Sequence, residues 1–366
     1  MIDAADRAVA GASVKELEVQ AGFEPLERLR RPWVLGFIEQ GGRSLPLVSP
    51  ILSAADRFGA IKARWDIGRM RYSVLPGVYA MGRPDPGSPV FVTANYKMSF
   101  DALRAQLDGV DAWILVLDTK GINVWCAAGK GTFGTEELVS RIAKTELASL
   151  VTHRKLTLPQ LGAPGVSAHE VAKRSGFRVE WGPVRAADIP AWLAARRVKD
   201  RAMREVRFDL AGRMAVAPVE IVHAWPLVFA ALVLAALWGL PSGPSWLKRA
   251  YPIAAFLFGT IPVGTVLFPA LLPWLPSKAF AVKGAFLGAI WAAVCALLFG
   301  FPPLLAAAGL FVAMPVVAFL SMNFTGASTY TCQPGALAEV EKGFWPMLVS
   351  LIGGLIAGGA SRILGI

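Results

Sequence analysis

The residues with the most chemical potential in this chain stand together at Asn123-Val124-Trp125-Cys126-Ala127-Ala128-Gly129-Lys130-Gly131-Thr132-Phe133-Gly134-Thr135. A cysteine thiolate is both a nucleophile and a metal ligand. A core cysteine would act only as a small apolar filler. That role does not account for Trp125, two alanines and three glycines crowded around Cys126. Small residues let a backbone come close to a broad, flat ligand. The stretch therefore predicts that Cys126 is a metal ligand and that the surrounding soluble part holds the cofactor carrying the metal.

Two familiar phosphate motifs overlap this stretch, and neither is complete. Gly129 to Gly134 matches G-x-G-x-x-G, but the acid a dinucleotide site needs about 20 residues on is missing; Val151-Thr152-His153-Arg154 stands there. A P-loop fails because position 124 is Val and Gly131 follows Lys130 where Ser or Thr belongs. His153, His169, His223, Cys126, Cys295 and Cys332 are too scattered for a zinc site. No C-x-x-C spacing occurs, so the chain has no conventional iron–sulfur ligand set of its own. Cys295, on an apolar run, and Cys332, in a polar loop, read as structural.

The elements that must position Cys126 show as an α/β alternation beginning at Pro89. Val90–Ala94 and Asp111–Leu117 read as buried strands, with a helix from Ser99 to Leu107 between them, capped by Ser99 or Asp101. After the cysteine stretch come a helix over Glu136–Leu150, a strand at Lys155–Leu158, and the loop Pro159 to Gly165. A helix over Ala168–Ser175 follows, with Ser167 as N-cap and Gly176 as stop. Phe177–Trp181 is a further strand, and Asp188–Arg197 closes the domain as a helix. Repeated units of this kind predict a Rossmann-like sheet of parallel strands wrapped by helices. Ligands on such sheets bind at the carboxyl ends of the strands, where these Gly-rich loops lie. Residues 1–85 read as an irregular lead-in with a helix and a loop through Pro76-Gly77, 86–198 as the α/β domain, and 199–218 as a basic linker.

Charge and hydropathy split the 366-residue chain at this linker. Residues 1–218 hold 31 Lys/Arg and 23 Asp/Glu, and residues 219–366 only six and three. Five apolar segments, about 220–240, 251–273, 279–300, 302–322 and 344–364, approach the roughly 20 residues that cross a bilayer. Residues 219–366 are thus expected to form an all-α transmembrane bundle of about five helices. Seven cations between Arg196 and Arg213 are expected to hold the soluble domain on the cytoplasmic face of the inner membrane. Lys248 and Arg249 run against that rule. No basic and aromatic stripe suggests nucleic acid. The acidic start, Met1-Ile2-Asp3-Ala4-Ala5-Asp6, is unlike a signal peptide, and a single soluble cysteine fits a reducing compartment.

Asn123-Val124-Trp125-Cys126-Ala127-Ala128-Gly129-Lys130 resembles, without interruption, the cap-helix motif of the mercury-methylating corrinoid proteins, the HgcA family. Residues about 88–195, with Gly131-Thr132-Phe133, Pro159 to Val166 and Gly182-Pro183-Val184-Arg185, are similar to the corrinoid-binding domain of the corrinoid iron–sulfur protein. That family also pairs the domain with a C-terminal membrane bundle.

The resemblance implies a cobalamin-type corrinoid bound base-off, with Cys126 as the lower axial ligand of cobalt. Such a protein would be a corrinoid-dependent methyltransferase delivering methyl to inorganic Hg(II). A thiolate is a soft, strongly donating ligand, suited to sending the methyl to an electrophile with its electrons. Expected corrin contacts are Thr93, Thr119, Asn123, Val124, Trp125, Ala127, Ala128, Gly129, Lys130, Gly131, Thr135, Leu161, Ala163, Gly165 and Val184. Implied partners are a ferredoxin-like protein with two [4Fe–4S] clusters as electron donor, and a folate or S-adenosylmethionine as methyl donor. Two alternatives stand beside this reading. One is a corrinoid methyl carrier of one-carbon metabolism with mercury as an incidental substrate. The other is a membrane receptor or transporter with a nucleotide-sensing domain.

Overall fold

The computed structural model describes residues 30–327, 329–331 and 333–365. Cys332 and residues 1–29 of the expected lead-in lie outside them. Two compact units are present: one holds the described residues up to Ala63 with Ile67–Val206, the other Arg64–Asp66 and the chain from Arg207 onward.

The first unit is built on a seven-stranded sheet of order β1-β2-β3-β5-β4-β6-β7. Its strands are β1 Val34–Gln40, β2 Arg43–Val48, β3 Gly77–Met81, β4 Val90–Ala94, β5 Ala112–Leu117, β6 Lys155–Leu158 and β7 Arg178–Trp181. Strands β5, β4, β6 and β7 run parallel. The most apolar of them, β4 and β5, are buried at every position, as strands covered on both faces must be.

The purely parallel sheet expected from the sequence is therefore extended. β3 pairs antiparallel with β5, β2 parallel with β3, and β1 antiparallel with β2. In the lead-in, helix α1, Ala54–Arg64, stands where a helix is expected, but the described residues also supply three strands, β1 to β3, in place of irregular chain. These strands escape a pattern reading because Gly36, Gly41, Gly42, Pro46 and the Pro76-Gly77 pair punctuate them like loops. Burial by the sheet overrides that signal; β3 is buried throughout.

The parallel part carries the helices α2 Lys97–Arg104, α3 Val124–Gly129, α4 Thr135–Lys144, α5 Ala168–Ser175 and α6 Ile189–Ala194. At α5 the Ser167 hydroxyl accepts the Glu170 N–H, and Gly176 takes a left-handed conformation at the stop. Elsewhere the boundaries move. The N-cap of α2 is Tyr96 instead of Ser99 or Asp101. The helix expected over Glu136–Leu150 ends at Lys144, and a separate turn, Leu147–Leu150, follows the left-handed Glu146.

A buried ion network ties α2 to the segment before it. Lys97 Nζ lies 2.7 Å from Asp56 Oδ1 and 2.6 Å from Asp101 Oδ2. Arg104 donates to Asp101 Oδ1 at 2.7 Å, to Asp56 Oδ2 at 2.9 Å and to the carbonyls of Ser49 and Ile51. All four charged side chains are buried, and two cations meet two carboxylates, so the charge closes. Burial would raise the Asp56 carboxyl, but hydrogen bonds from Lys97 and Ser53 outweigh it and hold the group well below the usual carboxylate range.

The second unit is helical: α7 Trp225–Gly239, α8 Trp246–Pro262, α9 Phe280–Phe299, α10 Pro303–Met322 and α11 Gln333–Leu364. Among the described residues, four stretches are long and apolar enough to cross a membrane: Trp225–Leu271, Phe280–Phe299, Pro303–Thr325 and Gly335–Leu364. The five expected segments fall into these four stretches, because the first two join into one helical run, Trp225–Leu271. α7 alone has 15 residues, short of the roughly 20 a crossing needs. Gly243 breaks helical geometry inside the run. A Cβ on Gly239 would stand 2.5 Å from the Trp246 carbonyl oxygen, so α7 and α8 meet closely at the break. Pro262 and Pro269 bracket a π-helical turn, Val263–Leu267, the irregularity the prolines predict. Gly284 and Gly288 bring α9 against Ala318 and Ala313 of α10, the small-residue packing typical of helices in lipid.

Candidate functional site

The order in which strands are added to the parallel sheet reverses at β4. The chain moves from β4 to β5 on one side, then returns past β4 to β6 and β7 on the other. In open α/β sheets this crevice, at the carboxyl ends of the strands, is the usual ligand position. A cavity of about 310 Å³ opens there. The end of β4 (Phe91, Val92, Thr93), the end of β6 (Thr157, Leu158, Pro159), the loop after β7 (Gly182, Pro183, Val184) and the start of α3 (Asn123, Val124, Trp125) line it, together with Leu161. Its surface is mostly apolar with a few hydroxyl and amide groups, as in most organic cofactor sites.

Cys126 stands on α3, beside the residues that form this wall. Asn123 is the N-cap, and its Oδ1 accepts the Cys126 N–H at 2.9 Å. The opposite face of the short helix is fixed, because Val124, Ala127 and Ala128 are buried, while Cys126 itself is exposed. A turn locked on its inner side thus presents one thiol outward.

A second loop grips α3 from below. The Phe133 N–H donates to Ala127 O at 3.1 Å, and the Thr135 N–H to Gly165 O at 3.2 Å. A Cβ on Gly165 would stand 2.2 Å from Phe133 O and 3.0 Å from Ala128 Cα; one on Gly162 would stand 2.5 Å from the Phe133 ring. These glycines make room for protein. Gly129 and Gly131 differ, since a Cβ on either would have nothing within 4 Å. Of the glycines around the cysteine, only those two border open space.

The expected contacts therefore divide. Thr93, Asn123, Val124, Trp125, Leu161 and Val184 come together around the cavity. Cys126, Gly129, Lys130, Gly131 and Ala163 are exposed nearby in the chain. Ala127 and Ala128 face the core. Gly165 packs on Phe133, and Thr135 Oγ1 accepts the Ser167 N–H at 2.9 Å. Thr119 is fully buried, its hydroxyl 2.8 Å from Asn95 Oδ1 and 2.6 Å from Ile122 O, so its polar atoms serve the turn leading into α3.

Asn95 is the positioning residue that the sequence reading missed. Its Oδ1 accepts the N–H groups of Thr119 and Gly121 at 3.1 and 3.0 Å, and its Nδ2 donates to Asp118 at 3.3 Å. One buried amide thereby sets the whole Asp118–Gly121 turn. Its signal was a lone asparagine directly after a buried strand. Lys97, two residues after Asn95, is committed to the ion network.

The donor set tests what kind of metal fits. No group of three or more His, Cys, Asp or Glu able to hold a metal ion occurs among the described residues. A lone exposed thiol suits a metal whose other positions a macrocycle fills, and the apolar cavity at the sheet's reversal point suits an organic body. A corrinoid carrying cobalt is a group that would meet both conditions; Cys126 adjoins the lining residues Asn123, Val124 and Trp125 in the chain and is not itself among those that line the cavity.

Comparison with known proteins agrees at the level of the domain. Residues 68–193 match the sequence-family model described as CO dehydrogenase/acetyl-CoA synthase delta subunit. The acetyl-CoA decarbonylase/synthase complex subunit gamma of Archaeoglobus fulgidus is 32% identical over 127 residues, covering 34% of this chain and 27% of that protein. Its counterparts in Methanopyrus kandleri and Methanocaldococcus jannaschii are 32% and 36% identical over 122 and 97 residues, covering 33% and 26% of this chain and 26% and 20% of those proteins. The chain spans about a quarter of the length of these relatives. The matched family segment ends before Arg207, so the helical unit lies outside it. The first unit thus contains a segment, residues 68–193, similar to the CO dehydrogenase/acetyl-CoA synthase delta subunit.

Proposed function

We propose that this chain is a membrane-anchored, corrinoid-dependent methyltransferase in which Cys126 is the lower axial ligand of cobalt and inorganic Hg(II) accepts the methyl group. The exposed Cys126 thiol, held on the Asn123-capped turn beside the cavity, carries this reading. When bound, a corrinoid supplies a cobalt centre able to take up a methyl group and pass it on. Asn123 and the buried side of α3 fix the thiol's position. Trp125, Val124, Leu161 and Val184, which line the cavity, would offer apolar surface to a bound macrocycle and help exclude water from it. The Cys126 thiolate would supply a soft sulfur donor to the bound metal, and an electrophilic acceptor such as Hg(II) would need the methyl group together with its bonding electrons. Electrons and methyl groups come from elsewhere: a ferredoxin-like protein with two [4Fe–4S] clusters, and a folate or S-adenosylmethionine.

A second reading, a corrinoid methyl carrier in one-carbon metabolism, is favoured by the similarity to subunits of the acetyl-CoA decarbonylase/synthase complex. The mercury acceptor rests on the eight residues around Cys126 alone.

Purified full-length chain given a base-off corrinoid should develop a cobalt–thiolate absorption spectrum that Cys126→Ala lacks. With Hg(II), methyl donor and reduced partner it should form methylmercury, and full activity in Cys126→Ala would overturn the proposal. Cys126→His asks whether a thiolate, or any axial ligand, suffices. A corrinoid spectrum without methylmercury, but with methyl transfer to another acceptor, would favour the carrier.

A further inference from the structure

Within the helical unit two cavities share a wall. One, about 330 Å³, is an apolar groove between α7, α8, α10 and α11. Gly358 and Gly359 line it, and a Cβ on Gly359 would meet nothing within 4 Å, so small residues leave the groove open. The other, about 430 Å³, is polar and carries Lys248 and Arg249. Trp238, Ile253, Phe301 and Leu305 belong to both. Arg362 closes the apolar groove at the Trp238 end. Its Nε donates to Trp238 O at 3.1 Å, its Nη2 to Ser242 Oγ at 3.0 Å, and its guanidinium lies 6.0 Å from the Trp238 ring.

Three of the six Lys and Arg of residues 219–366 thus gather around one tryptophan, with no carboxylate lining either cavity. The three acids of this segment stand elsewhere in sequence, and Glu339 accepts the N–H groups of Phe280 and Ala281 at the start of α9. Lys248 and Arg249 are also the cations that run against the orientation rule. A cluster of uncompensated positive charge capping an apolar slot is complementary to an anionic head on an alkyl chain.

We infer that the two adjoining cavities form a binding site for one anionic phospholipid, its acyl chain in the groove between α7, α8, α10 and α11 and its phosphate at Lys248, Arg249 and Arg362. The inference rests on the helical unit being embedded in a bilayer. Arg362, braced on Trp238 and Ser242, fixes the depth of the phosphate. Lys248 and Arg249, both exposed, supply the attraction that separates anionic from zwitterionic lipid.

The test uses the full chain reconstituted in vesicles of phosphatidylcholine with or without phosphatidylglycerol. Flotation in high salt first reports insertion, so failure of the membrane reading is seen separately. The inserted chain is then released into mild detergent for native mass spectrometry and thermal unfolding. One phosphatidylglycerol should remain per chain, in at least tenfold preference to phosphatidylcholine, and raise the unfolding temperature; inorganic phosphate alone should not raise it. Lys248→Glu with Arg249→Glu should reduce the preference about tenfold, and Gly359→Leu should expel the lipid by filling the groove. Equal retention of both lipids, retention untouched by either variant, or an equal effect of free phosphate would overturn the inference.

Discussion

At Cys126 the backbone does as much as the sulfur. Asn123 places the thiol by accepting the Cys126 N–H, and α3 is only six residues long, too short to hold its shape without a cap and a packed inner side. Asn123→Ala should cost about 1 kcal/mol of local stability, the usual value of a lost N-cap. It should also weaken corrinoid binding several-fold with the thiol still present. Asn123→Asp, which can cap, should restore most of the affinity. Titration of the full-length protein with a base-off corrinoid, followed by absorption, measures both, and unchanged affinity in Asn123→Ala would remove the positioning role. Cys126 was legible in the sequence because its neighbours are too small and too glycine-rich for a core. Asn95 and the turn-holding role of Thr119 were not, since both depend on a turn that β5 brings back to β4, with Thr119 24 residues along the chain from Asn95.

Between elements, the glycines offer the sharpest contrast. Gly165→Ala drives a Cβ toward the Phe133 carbonyl and Ala128, a backbone collision expected to destabilise by about 1–3 kcal/mol. Gly129→Ala meets nothing and should leave stability within about 0.5 kcal/mol, while lowering corrinoid affinity if that open side faces the macrocycle. Denaturant unfolding and corrinoid titration of the two variants separate clearance for protein from clearance for a ligand. The ion network makes another prediction. Asp56→Asn leaves Lys97 and Arg104 short of one buried carboxylate, which should cost about 3–5 kcal/mol; a loss below about 1 kcal/mol would show the charges are not interdependent. Because the native Asp56 carboxyl is held below its unfolded value, its contribution is complete above about pH 4 and drains away as pH falls below that. The acid limb of the unfolding profile should therefore flatten in Asp56→Asn. Strands β4 and β5 could be read from sequence as near-continuous apolar runs, and β6 and β7 as short strands set between loops and helices. The strands β1 to β3 could not, being broken by Gly and Pro, and neither could an ion network whose two contacts to Asp56 span 41 and 48 residues.

Across the whole molecule, the charge split and the structural division fall close together. The first unit ends at Val206 and the helical unit resumes at Arg207, inside the run of cations that precedes the apolar segments. Every residue lining the cavity beside Cys126 precedes that break, as does the whole matched segment 68–193. The unit also has its own contiguous core, from Trp33 to Trp192. A chain ended after Val206 should therefore fold and bind a corrinoid with an affinity within about threefold of the full protein in detergent, a difference under about 0.7 kcal/mol. Only Arg64–Asp66, grouped with the helical unit, should lose order, at the end of α1. The shortened chain should no longer float with phosphatidylcholine vesicles in high salt, where surface attraction is screened and only inserted helices hold. If it forms methylmercury with Hg(II), methyl donor and reduced partner, the helices serve anchoring and lipid binding. A folded fragment that binds no corrinoid, beside a full chain that does, would mean the site draws on residues beyond Val206.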